Sequence, residues 1–116
     1  MDQTTQAFIT PERFFEADIR LGKILRVEEF PKARKPAYKL WIDFGTFGIK
    51  QSSAQITALY SKESLLGTLV LAVLNFPPRQ VADFLSEVLV LGVHNEAGEV
   101  ALIRPEFDAP LGARLE

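Results

Sequence analysis

Cysteine is absent from this chain, and histidine, tryptophan and methionine each occur once. Without thiols there can be no disulfide, no thiolate nucleophile and no Cys-ligated zinc or iron site, a composition that suits the reducing cytoplasm. Long apolar runs are also missing. The longest, Leu69 to Leu74, is far too short to span a bilayer, so no membrane insertion is expected. The first six residues, Met1 to Gln6, are polar and show neither a basic n-region nor an apolar h-region, so no signal peptide is expected. No glycine-rich phosphate loop and no cluster with metal-ligand spacing occurs, which predicts a protein without cofactor or metal. The single histidine, His94, stands before a turn with no Ser or Asp constellation and reads as a surface residue. Glu28, Glu29, Glu96 and Glu99 read as solvated charges for the same reason. The chain is not expected to be an enzyme.

What is present is a core and a lopsided charge. The 116 residues make one domain, and 47% apolar with 24% charged residues suffices for a folded interior. Nine phenylalanines are more than a small fold can easily hide. The net charge of −2 conceals a basic half, with eight Lys/Arg against three acids from Arg20 to Lys50. The acidic half runs from Asp83 to Glu116, with seven acids against two arginines. Such asymmetry predicts a charged binding face or complementary surfaces that pair.

Period-two alternation dominates the chain. A short helix opens it: Thr10 suits the N-cap, Pro11 the first helical position, and Ile9 with Phe14 the two sites of a hydrophobic staple. From Asp18 to Glu29 the odd positions Ile19, Leu21, Leu25 and Val27 are apolar, and Gly22 suggests a bulge or bend in a long first strand. Phe30 to Pro36 is a basic loop. Tyr38, Leu40, Ile42 and Phe44 share one face of the second strand, with Lys39, Trp41 and Asp43 on the other. Gly45-Thr46 turns into a third strand over Phe47 to Ser53. Ile56 to Leu66 has helical character, with Ser61 as cap and Gly67 as terminator. Thr68 to Leu74 is an apolar strand covered on both faces. The prolines of Phe76-Pro77-Pro78-Arg79 end it. Val88 to Val93 is a second apolar strand, and Val100 to Ile103 returns after the turn Asn95 to Gly98. Pro105, Pro110 and Gly112 break up the C-terminal segment and leave it outside the barrel.

This order predicts an all-β fold: a five-stranded OB-fold barrel with a short helix between strands three and four, a short N-terminal helix and terminal extensions. The pattern alone leaves other small barrels open. Residues 1–16 form the N-terminal extension, and 17–116 the barrel with its C-terminal extension.

The candidate binding face follows from that architecture, because the loop after strand one flanks the ligand face of an OB barrel. That loop carries Lys32, Arg34 and Lys35, with Tyr38 and Lys39 following; the alternative is a solvated charge run. Trp41 is either a platform on the barrel face or a core residue. Asn75 and Phe76, held by two prolines beside Arg79, form a lip for a pocket or an ordinary barrel corner. Ser52, Ser53 and Ser86 either offer polar groups to the same face or satisfy local backbone groups.

Ala17-Asp18-Ile19-Arg20-Leu21-Gly22 and Ala33-Arg34-Lys35-Pro36-Ala37-Tyr38-Lys39-Leu40 resemble the family of tRNA-binding OB domains. Members occur as C-terminal appendages of methionyl- and phenylalanyl-tRNA synthetases and as free dimers. Asn75-Phe76-Pro77-Pro78-Arg79-Gln80 and Ser86-Glu87-Val88-Leu89-Val90-Leu91-Gly92 are similar to the family's secretion-chaperone branch. The resemblance covers about Ala17 to Leu115. It implies an OB-fold homodimer that binds unfolded or pre-secretory polypeptides and interacts with the translocase ATPase SecA. Relatives that bind tRNA usually carry lysines where Pro77 and Gln80 stand, and a Gly-Met pair where Val88-Leu89 stands. Exchanging positive charge for apolar surface lowers phosphate affinity and favours peptides. The alternative implied by the resemblance is a dimeric tRNA-binding module that uses the same basic loop.

Overall fold

A computed structural model describes residues 7–116; the polar stretch 1–6, read above for a leader, lies outside the described residues. The elements follow in order: helix α1 (Pro11–Phe14), strands β1 (Ile19–Glu29) and β2 (Tyr38–Asp43), a 3₁₀ turn (Gly45–Phe47), β3 (Ile49–Ala54) and helix α2 (Lys62–Leu65). Then come β4 (Leu69–Val73), β5 (Arg79–Val81), β6 (Phe84–Ser86), β7 (Leu89–Val90), β8 (Gly92–His94) and β9 (Val100–Leu102). Five strands form one antiparallel sheet in the order β3-β2-β1-β4-β7, and β5-β6 and β8-β9 are separate hairpins. This is the nearly closed five-strand OB barrel that the alternation predicted, with α2 between the third and fourth strands.

Local chemistry explains the short helices. The Thr10 hydroxyl accepts from the Arg13 amide at 3.2 Å, with Pro11 in the first turn. The expected staple does not close, since Ile9 and Phe14 are 64% and 43% exposed. Ser61 and Ser64 form a reciprocal capping box on α2. Gly67, at φ +79°, ends it and donates to the Ile24 carbonyl.

β2 packs as its alternation requires: Leu40, Ile42 and Phe44 are fully buried, and with Ile24, Leu65 and Val70 they make the centre of the core. β1 corrects the expectation in two respects. Its bulge falls at Leu25, where the register to β2 jumps from Ile24↔Ile42 to Arg26↔Trp41, and not at Gly22. Its core-facing positions are Gly22 and Ile24, then Val27 beyond the bulge. A Cβ on Gly22 would stand 2.5 Å from Ile42 Cγ2 and 2.6 Å from Phe44 Cε1. Gly22 therefore leaves the volume that these two side chains fill. By alternation Ile19 and Leu21 lie on the opposite face, buried all the same. Beside them runs the C-terminal segment, which is not outside the barrel. It adds to β1 through Leu21 N–H to Ala113 O, Gly112 N–H to Leu21 O and Leu115 N–H to Ile19 O.

Two further differences concern the second half of the chain. The apolar stretch 88–93 is broken at Leu91 into β7, on β4, and β8, paired with β9. Residues 79–86, for which no strand was expected, form the β5-β6 hairpin. Its two-residue turn holds Ala82 at φ +52°, so the usual Asn-Gly or Asp-Gly signal is absent.

Candidate functional site

The barrel is closed on the β3 side by side chains as well as backbone. The Glu87 N–H donates to Gln51 O at 2.8 Å, and Glu87 Oε1 accepts from the Gln51 N–H at 2.9 Å. The Ser53 N–H donates to Ser86 Oγ at 3.0 Å, and Ser52 Oγ to Val88 O at 2.8 Å. A groove of about 1230 Å³ opens along this seam, between the β1–β2 loop, the end of β3, the β5-β6 hairpin and β7.

The walls of the groove are largely apolar. Ile56, Val81, Leu89 and Val90 line it with Phe76 and Pro77. Phe76 is 49% exposed, so much of its ring is available to a ligand. The rim is basic: Lys32, Arg34, Lys35 and Arg79 all border the groove. Only one of the four is neutralised. Lys32 Nζ lies 2.8 Å from Asp83 Oδ2, whereas Arg34, Lys35 and Arg79 form no ion pair among the described residues. Hydrogen bonding and charge attraction from Asp83 raise the Lys32 ammonium above its ordinary pKa of 10.5. The hydrogen bond from Lys32 holds the Asp83 carboxyl below its ordinary 3.8. Ser53 and Ser86 border the groove as well.

The remaining sequence candidates stand elsewhere. Ser52 is fully buried, its hydroxyl donated inward to Val88 O, and is closed to ligand. The Tyr38 ring packs against the core, and its hydroxyl donates to Tyr60 O at 2.9 Å. Asn75 clamps the N-terminal segment. Its Oδ1 accepts from the Asp18 N–H and its Nδ2 donates to Glu16 O, both at 2.8 Å. Trp41 and Lys39 do face outward, but the β5-β6 hairpin lies over them. Phe84 meets Trp41 edge-on at 5.8 Å and Phe30 at 5.6 Å. Lys39 Nζ sits 4.9 and 5.3 Å from the Phe30 and Phe84 ring centres, and the Arg26 guanidinium 4.6 Å from Trp41. Trp41 is thus half-buried in a small second cluster, neither an open platform nor part of the main core. Sequence reasoning missed Val81, Leu89 and Ile56 as groove residues, because nothing in their apolar character separates a groove wall from a core. Among the described residues no group of three or more His, Asp or Glu could hold a metal ion, and no helix is long and apolar enough to cross a membrane.

The five-strand barrel with a large mixed groove along its seam defines a class: an OB-fold domain, an architecture whose members bind oligonucleotides and oligosaccharides. Residues 19–114 match the family described as "Putative tRNA binding domain", and the chain belongs to that family. It is similar to the crystal structure of the chaperone CsaA from Bacillus anthracis, with 50% identity and a TM-score of 0.89 over 95% of this chain and 100% of that one. CsaA from Picrophilus torridus matches at 48% identity and a TM-score of 0.87, covering 94% of this chain and 100% of that one. The methionine–tRNA ligase of Thermococcus onnurineus is 32% identical over 108 residues, which are 93% of this chain and 14% of the ligase. The chain therefore spans about one seventh of the length of the curated relatives it matches.

Proposed function

We propose that this protein is an export-related molecular chaperone that binds unfolded or pre-secretory polypeptides in the seam groove. The observation that carries this reading is the composition of the groove: an apolar wall presented by Phe76, Val81 and Leu89 beneath a rim of Arg34, Lys35 and Arg79. Extended polypeptides offer scattered apolar side chains and backbone carbonyls, so a general binder needs apolar contact with an adaptable polar rim. The groove's 1230 Å³ exceeds the roughly 300–1,000 Å³ of small-molecule sites, which suits a polymer. Similarity to the CsaA chaperones over nearly the whole chain supports the same reading. The role places the protein in the cytoplasm, delivering precursors to SecA, with no need of metal or nucleotide.

The protein acts as a homodimer. Phe8, Ile9 and Phe107 are 103%, 64% and 79% exposed, apolar surface that a two-fold contact between copies would cover. A monomeric mass by light scattering at micromolar concentration would contradict this.

A tRNA-binding module is the second reading, favoured by three rim cations that form no ion pair among the described residues and by the family itself. Covering of Trp41 by the β5-β6 hairpin removes one stacking platform and leaves Phe76 as the exposed aromatic of the groove. Mutation separates the two. Phe76→Ala should weaken binding of an unfolded precursor peptide at all salt concentrations, by roughly 2 kcal/mol, the usual loss for an aromatic anchor. The double change Arg34→Ala with Lys35→Ala should weaken it mostly at low salt. A harmless Phe76→Ala would remove the peptide reading.

A further inference from the structure

Lys32, one of the cations that line the groove, is paired with an acid that the peptide reading does not use. Asp83 stands at the tip of the β5-β6 hairpin and meets Lys32, 51 residues away in sequence, at 2.8 Å. Both side chains are more than half exposed, so the pair adds little to folding stability. Yet both are presented by anchored backbone. The loop of Lys32 is pinned at its ends by Phe30 and Ala37, which are buried in the same cluster as Phe84, the neighbour of Asp83. The Gln80 side chain donates to Ala82 O at 2.9 Å and braces the turn, where Ala82 occupies the left-handed region.

We propose that Asp83 is a specificity-determining residue of the groove: its carboxylate occupies the Lys32 ammonium as a built-in anion and biases the groove against polyanions. The inference rests on the groove being the binding site. A phosphate reaching this end of the rim meets a cation already neutralised and a fixed negative charge beside it. A peptide of low net charge, held by the apolar wall and by Arg34, Lys35 and Arg79, is indifferent to both. The groove thereby counts one cation fewer toward nucleic acid than its sequence offers, while its contacts to peptide are untouched.

The test uses the full chain, with a short oligouridine as polyanion and an uncharged unfolded peptide as the second probe, each titrated at several salt concentrations. Asp83→Asn should raise oligouridine affinity roughly two- to fivefold at low salt, in line with one exposed charge interaction. It should also steepen the log–log salt dependence by about 0.7, the share of one single-strand phosphate. Peptide affinity should stay within a factor of about two, since no apolar contact changes. Lys32→Ala alone, which leaves the Asp83 carboxylate without its cation, should lower oligouridine affinity at low salt, and the double variant Lys32→Ala with Asp83→Asn should return affinity and slope to those of the parent. Unaltered circular dichroism of each variant confirms that the fold is kept. An unchanged slope in Asp83→Asn, with Arg34→Ala/Lys35→Ala lowering it, would overturn the role of Asp83 and leave the groove reading standing. An equal gain for peptide and oligouridine would also overturn it, because the acid would then obstruct access and not select by charge. Indifference of both probes to every rim change and to Phe76→Ala would dismiss the groove itself.

Discussion

Replacing Ser52 by alanine probes how the seam of the barrel is held. Ser52 is the one buried polar side chain among the described residues, and its hydroxyl donates to Val88 O at 2.8 Å. Val88 is itself 4% exposed, so water cannot readily replace the lost donor. A carbonyl left unpaired in such a place costs about 1–3 kcal/mol, far more than the small change in packed volume. Ser86 Oγ lies 3.5 Å from both the Ser52 hydroxyl and Val88 O, and it already accepts from the Ser53 N–H. It can turn toward Val88 only in part, which puts the expected loss near 1–2 kcal/mol. For a domain of this size that lowers Tm by roughly 4–10 °C. Urea unfolding at fixed protein concentration should show a reduced midpoint with an unchanged m-value. The Ser52→Ala/Ser86→Ala double variant should lose more than the sum of the singles, since the remaining donor is then removed too. A Ser52→Ala protein as stable as its parent but impaired in ligand binding would refute this, and would return Ser52 to the binding face.

Gly22→Ala should be destabilised by about 1–3 kcal/mol through overpacking, because its Cβ meets Ile42 and Phe44 at 2.5 and 2.6 Å; a thermal melt at the parent value would show that β1 is not pressed against them. The Lys32–Asp83 pair sets a pH window. The depressed Asp83 pKa makes its contribution present above the unfolded value and lost as pH falls through the folded one, below 3.8. The raised Lys32 pKa makes its contribution present below 10.5 and lost as pH rises through its higher folded value. An NMR titration should therefore place the Asp83 carboxyl midpoint below 3.8 and move it upward in Lys32→Ala; no movement would mean that the pair does not form in solution.

How much of this could be read from the amino acids varies by element. β2 was plain, because Leu40, Ile42 and Phe44 alternate with Lys39, Trp41 and Asp43, and only the first of these faces is fully buried. β1 was harder. Apolar residues occur in both phases, since its two faces are covered by different things: the barrel interior over Gly22 and Ile24, and the C-terminal segment beside Ile19 and Leu21. The β5-β6 hairpin was invisible, with strands of three residues and a turn lacking glycine. Among the candidate site residues, Arg34, Lys35, Phe76 and Arg79 line the groove, on segments marked out in the sequence by charge and proline. Small polar residues were poor ones. Ser52 and Asn75 carry the same groups whether they face ligand or backbone, and only tertiary contacts across 36 and 57 residues decide. The pairing of Lys32 with Asp83 was unreadable for the same reason.

As proposed, the groove binds polypeptide through apolar contact and treats polyanions as poor ligands. Its most direct test is a side-by-side titration of the protein with an unfolded precursor peptide and with tRNA, each at about 50 and 200 mM salt. Peptide binding is expected to persist at both salts with a modest loss from the rim charges, and tRNA binding to be weak at low salt and nearly lost at high salt. Strong tRNA affinity with a steep salt slope, together with no measurable peptide binding at either salt, would contradict it.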